Sequence, residues 1–300
     1  MCSRSGVQYR LNPRQFWHTS RDVDLQPGGY RFRGLAEGVH PPLLAMWHCK
    51  GCCFTAEVGD FQTPLKDVLI RTDTVAFALK ERARADNKFR RVLETLQADI
   101  RLEAIDFYQA IKLHLLAFRI WDEIGGMVKQ DYLTQAKYSL LLAWLYRDLQ
   151  TVDPMRDQTV ARLANLNADL QLVWPDLPAT EEAALRKTIG YYEDSLAIST
   201  FSKDPMNEVT ALHRTGRIQM KLGEYAPAWE TFRRSTIRAQ MAAVEIRHQL
   251  AIRGHMPGRD EVTGVEREAL VDRERRLVSI MNDEGRLIDD IRERLGSKRP

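Results

Sequence analysis

The stretch from Tyr132 to Leu149 constrains this 300-residue chain more than any other. Leu133, Ala136, Leu140 and Trp144 recur at three- and four-residue intervals on one side of a helix, and Leu141, Leu145 and Leu149 do so on another. A helix that is apolar nearly all round has to be surrounded by other elements, so it is expected at the centre of a helical domain. Its longest apolar run, Leu140 to Tyr146, falls far short of the roughly 20 residues that span a bilayer, and no membrane helix is expected.

Helical spacing holds from Thr63 onward. Ile100, Ala104, Phe107, Ile111, Leu115 and Phe118 form one stripe, and Leu185, Ile189, Tyr192 and Leu196 another. Thr63-Pro64, Asp153-Pro154 and Asp204-Pro205 each place a capping oxygen before a proline suited to the first helical position. Thr180 followed by Glu181 and Glu182 adds a cap with negative charge at the positive end of a helix. Gly125-Gly126, Trp174-Pro175, Gly223 and the run from Gly254 to Gly258 read as stops. Seven or eight helices follow, and their short connections make antiparallel neighbours.

Leu212-x3-Gly216-x6-Gly223-x-Tyr225-x2-Ala228-x3-Phe232 has the spacing of a tetratricopeptide repeat. A small residue lets two helices approach, Gly-x-Tyr makes the turn, and Ala-x3-Phe packs the second helix back on the first. Thr215, Gln219 and Ser235 depart from the usual residues, and a generic helical hairpin is the plainer alternative. Earlier helices are longer than the roughly 34-residue repeat unit permits, so an irregular stack is expected. Stacked helix pairs offer a concave face to a peptide or partner helix, which makes binding a protein or peptide partner the expected function. After Gly258, Leu270, Leu277, Met281, Ile288, Ile291 and Leu295 fall on heptad positions that Glu274 and Glu284 interrupt. This segment reads either as a terminal helix capping the stack or as a coiled coil for self-association.

Composition changes near residue 62. All four cysteines lie at or before position 53, and Pro27-Gly28-Gly29 and Pro41-Pro42 mark turns. The expected segmentation is 1–62, a loop-rich module; 63–258, the helical domain; and 259–300, a charged C-terminal helix. Cys49-Lys50-Gly51-Cys52 follows a strand-like run from Leu44 to His48, and its spacing lets a tight turn aim two thiolates at one tetrahedral zinc. That is half a site. Inert thiols are a second reading, and a redox pair a third, although the latter belongs at a helix start within a β-α-β unit.

The run from Gly38 to Ala56, GVHPPLLAMWHCKGCCFTA, followed by Asp60-Phe61, resembles the bacterial domain-of-unknown-function 2225 family, whose pattern is close to G-x-N-P-L-L-Y-x-V-W-V-C-P-x-C-G-Y-A-A and then D-F. Arg21 to Asp24, Tyr30, the LLLAWLYR run from Leu140 to Arg147 and the span from Gly223 to Phe232 agree, so the resemblance covers most of residues 20 to 240. It implies a zinc-ribbon-like N-terminus followed by helical repeats, with no enzymatic activity to carry over. His40, Lys50 and Cys53 replace the family's Asn, Pro and Gly. The family's first pair, C-P-x-C, is represented only by Cys2, which implies a start upstream of Met1 that supplies an additional Cys. With Met1 as the start, Cys2, Cys49 and Cys52 are the expected zinc ligands, and the fourth comes from Cys53, His48, His18 or another chain. Cys53 occupies the position of the knuckle glycine, where its thiol points away from the metal.

The expected fold is therefore mainly α, an irregular tetratricopeptide-like helical stack with a small N-terminal zinc-ribbon-like α/β or loop-rich module. No G-x-G-x-x-G, Walker A, H-E-x-x-H or G-x-S-x-G motif is present, and His114 and His213 read as packed or surface histidines on helices, so no enzyme is expected. Lys plus Arg is 44 against 41 for Asp plus Glu, a balance with no concentrated basic patch. The alternative is nucleic-acid contact through the head, where Arg31, Arg33 and Lys50 accompany Tyr30, Phe32, Trp47 and Phe54. Seven basic against five acidic side chains in residues 1–62 weigh against it, and these aromatics are expected to form the module's core. Without a signal sequence the expected location is the cytoplasm, where thiols stay reduced.

Overall fold

The computed structural model describes residues 43, 46–49, 53–57, 72–100, 105–127, 132–151, 153–197, 205–253 and 262–296. Among them are a hairpin of two strands, β1 (Met46–His48) and β2 (Thr55–Glu57), and nine helices, so the protein is mainly α. The helices are α1 (Thr72–Ala85), α2 (Asn87–Gln97), α3 (Phe107–Met127), α4 (Tyr132–Thr151), α5 (Arg156–Gln171), α6 (Glu181–Ala197), α7 (Pro205–Lys221), α8 (Tyr225–Arg253) and α9 (Val262–Gly296). Two compact units, Met1–Thr188 and Ile189–Pro300, divide the chain within α6. The segmentation expected at 62 and 258 follows changes in composition, and these units follow packing.

In the first unit α4 is enclosed from Gln135 to Leu149, as its all-round apolar sequence requires. Its two buried charges are neighbours and pair with each other, Arg147 Nε donating to Asp148 Oδ1 at 3.1 Å. Ser139 Oγ donates to the Ala184 carbonyl at 2.7 Å and so fixes α4 to the start of α6. On the other flank Arg119 of α3 lies over the rings of Phe89 and Trp174 while pairing with Asp122 and Glu123. Phe118 stacks on the same Trp174, with ring centroids 6.0 Å apart.

Helix boundaries depend on single polar groups. Asp86 separates α1 from α2, its Oδ1 accepting from the Lys88 and Phe89 amides at 2.8 and 3.1 Å. This cap raises the count above the seven or eight helices expected. The stripe that begins at Ile100 crosses a second break, where Asp99 is left-handed at φ 58° and α3 reaches back to close the turn. Gln109 Nε2 donates to Asp99 O at 2.9 Å, and Lys112 Nζ donates to Ala98 O, a cation at a helix C-terminus. Thr180 caps α6 as expected, with Oγ1 accepting from the Ala183 amide at 3.1 Å.

Two expected boundaries move. α5 starts at Arg156 because Asp153 Oδ1 accepts from the Met155 amide at 2.9 Å, forming an Asx turn ahead of the helix. α3 continues through Gly125 and Gly126 to Met127, since a helix tolerates each glycine at about 1 kcal/mol. Thr63-Pro64, Asp204 and the stop from Gly254 to Gly258 lie outside the described residues.

In the second unit α7 and α8 form the helix pair read from the repeat spacing. Gly223 makes the turn at φ 78°, and Gly216 admits the ring of Phe232, whose Cε1 would lie 2.6 Å from an added Cβ. Ala228, Phe232 and Ile291 form one core, and Val209, Ala239, Ala242, Ala243 and Leu277 form another, so α9 packs along α8 within the same chain. Glu284, which interrupts the heptad pattern, is fully buried. It accepts from Thr236 Oγ1 at 2.9 Å and lies 3.2 Å from His213 Nδ1. Asp283 lies 3.5 Å from His213 Nε2, so one imidazole joins both carboxylates of α9 to α7. Glu274 pairs with Arg247 of α8.

Gly216→Leu should lower stability by about 1–3 kcal/mol through overpacking against Phe232, read as a fall in Tm. Unchanged melting would contradict the close approach. His213→Ala should leave Glu284 buried with too few partners, and amide exchange across α9 should rise more than across α5.

Candidate metal centre

The hairpin pairs Met46 with Glu57, Trp47 with Ala56 and His48 with Thr55 in antiparallel register. Beyond it the Cys49 amide donates to Phe54 O at 2.9 Å and the Cys53 amide to Cys49 O at 2.8 Å. The second bond closes a five-residue turn from Cys49 to Cys53, whose last residue is left-handed at φ 60°. This conformation favours glycine, and here a cysteine occupies it. Its thiol donates to Gln97 Oε1 of α2 at 2.7 Å and is thereby aimed at a helix.

Cys49, at the head of the turn, is a buried thiol. Cys52, Cys2 and His18 lie outside the described residues, so among the three expected ligands the structure places Cys49 alone. No group of three or more His, Cys, Asp or Glu side chains spaced to hold a metal occurs among the described residues. The bond from Cys53 to Cys49 O brings the chain back toward Cys49. His48 is buried beside it with Nδ1 2.9 Å from Thr55 Oγ1. Because that hydroxyl donates to Cys53 O at 2.8 Å, it accepts from His48, and the proton is assigned to Nδ1.

The strands are fixed to the helices by aromatic packing. Phe54 meets Trp121 of α3 at 6.2 Å between centroids, and Trp121 stacks on Tyr138 of α4 at 5.5 Å and 14° between planes. Tyr138 Oη accepts from the Glu57 amide at 2.9 Å, while the Glu57 carboxylate pairs with Lys137 at 3.3 Å. Phe54, expected in the core of a small module, is thus buried in the helical core. Its ring is not presented for stacking on a base.

His114 lies on α3 and is fully buried, donating through Nδ1 to the Ala110 carbonyl at 2.8 Å. Burial pushes it down to about 4, against smaller opposing contributions from that hydrogen bond and from Glu57. The packed histidine expected from sequence is therefore neutral in the fold.

Sequence reasoning did not find the receptors of the hairpin. Gln97 is an ordinary polar helix residue, and no local pattern marks it. Trp121 and Tyr138 sit at helical spacing within apolar stripes, where they signal a core and not the strand that packs on it.

The model of a family described as "Uncharacterized protein conserved in bacteria (DUF2225)" matches residues 20–251. No curated protein and no solved structure matches the chain.

In the unfolded chain His114 takes up a proton near pH 6.5, and in the fold only near 4. Its contribution to stability is therefore complete above about pH 6.5 and falls by up to roughly 3 kcal/mol as the pH drops toward 4. His114→Gln should flatten the slope of stability against pH in this window, measured by urea unfolding. An unchanged slope would place the proton uptake elsewhere.

Proposed function

The chain belongs to the bacterial DUF2225 family, and from that premise we propose that it is a cytoplasmic, non-enzymatic protein–protein interaction scaffold whose N-terminal turn holds a structural zinc. One observation carries the interaction reading. α8 leaves the tetratricopeptide-like pair with Ile237, Met241 and Val244 exposed at 48%, 57% and 63%, spaced i, i+4 and i+7 on a single face opposite its packed alanines. Large apolar side chains grouped on one helix face mark an interaction surface, whereas isolated ones do not. α7, in contrast, has no large apolar side chain among the exposed ones, so the apolar surface of this pair lies on the outer face of its second helix.

For the metal, Cys49 and Cys52 supply a knuckle pair and Cys2 a third thiolate. Cys53 stays outside the ligand set because its thiol is engaged with Gln97. Zinc bound there closes the turn and supplies no chemistry of its own beyond that constraint. No helix among the described residues is long and apolar enough to cross a membrane.

Native mass spectrometry of the purified chain tests the zinc assignment. Cys49→Ser and Cys52→Ser should lose metal, and Cys53→Ser should retain it. Equal loss in all three variants, or no zinc in the parent, would contradict it. For the scaffold, affinity capture from a bacterial lysate with the parent and with Met241→Glu should differ by the loss of specific proteins, and identical capture would remove α8 as the binding face.

A further inference from the structure

We propose that the exposed face of α8 pairs with the same face of a second copy of this chain, antiparallel and centred on Met241. The inference rests on the interaction reading above and names its partner. The apolar patch is nearly symmetric about its middle residue, with Ile237 four residues before Met241 and Val244 three after. A two-fold axis through Met241 therefore sets each Ile237 against the other copy's Val244 and Met241 against itself, as an isologous contact requires.

Charge follows the same symmetry. Arg238 and Glu245 lie two turns apart on one flank of the patch, close enough to interact, and Arg238 is oriented by Glu208 of α7. In an antiparallel pair that flank meets its own copy, so Arg238 faces Glu245 on both sides of the axis. A parallel pair would instead set this flank against the opposite one, and Arg238 and Glu245 would not meet across the axis. α9 leaves less for self-association, since Leu270, Leu277 and Ile291 are buried and Met281 and Ile288 pack against the intrachain cores. Three side chains per copy bury much less than the roughly 1,200–2,000 Å² of a tight complex, so the dimer is weak and concentration-dependent.

Sedimentation equilibrium of the full chain tests this, run from low to high micromolar concentration alongside Met241→Glu and Glu245→Arg. Both residues lie on the solvent side of α8, and matching circular dichroism and Tm should confirm that the variants fold. The parent mass should climb from 34.6 kDa toward twice that value, while both variants stay monomeric. A parent that remains monomeric, or variants that dimerise equally well, would overturn the pairing. In the first case the capture experiment separates the two readings. Proteins lost from the Met241→Glu column would assign the face to another partner, such as an acidic helix, and unchanged capture would overturn both.

Discussion

Trp121 is the contact on which the first unit depends. One face of its indole stacks on Tyr138, and Phe54 approaches it from the hairpin, so residues 67 positions apart in the case of Phe54 and Trp121 share one aromatic seam. Aromatic side chains bury about 150–250 Å² each, and a tilted or stacked pair adds about 0.5–1.5 kcal/mol beyond area. Around this seam the polar groups are arranged to match. Tyr138 uses its hydroxyl on the Glu57 amide, and Cys53 uses its thiol on Gln97. The hairpin and its turn are consequently built onto α2, α3 and α4 through Gln97, Trp121 and Tyr138.

The second unit solves its packing differently. Its close helix approach needs a residue without a side chain at Gly216, and its long partner helix α9 is held in register by polar groups within an apolar interface. Leu277 and Ile291 supply burial but could slide along α8, because small alanines line that side of it. Glu284 cannot slide, since leaving Thr236 and His213 would strand a buried carboxylate. A charge that interrupts a heptad thus fixes alignment, as buried polar groups do in coiled coils.

Much of this was legible in the sequence, and the exceptions have physical causes. The all-round apolar run at Tyr132 to Leu149 identified the central helix, because burial on every side leaves no other pattern. Gly216, Gly223 and Phe232 identified the α7–α8 pair, because close approach and a left-handed turn restrict residue type. The stripe through Ile100 and Phe107 concealed a turn, since Ile100 is buried in the connection at a spacing that mimics a helix. At the hairpin, C-x2-C drew attention to the segment, but the groups that receive the hairpin lie 44 to 81 positions away and satisfy ordinary core requirements. Glu284 read as an interruption because a partner on another helix leaves no trace in local spacing.

The hairpin packs on α2, α3 and α4 through Gln97, Trp121 and Tyr138, so its stability should depend on theirs. Hydrogen–deuterium exchange of the full chain, comparing peptides over Met46–Glu57 with those over α3 and α4, tests it most directly. Hairpin amides should be protected to the same degree as α3 and α4, and Trp121→Ala should lower protection in all three together. A hairpin that exchanges rapidly while α3 and α4 remain protected, or one indifferent to Trp121→Ala, would contradict it.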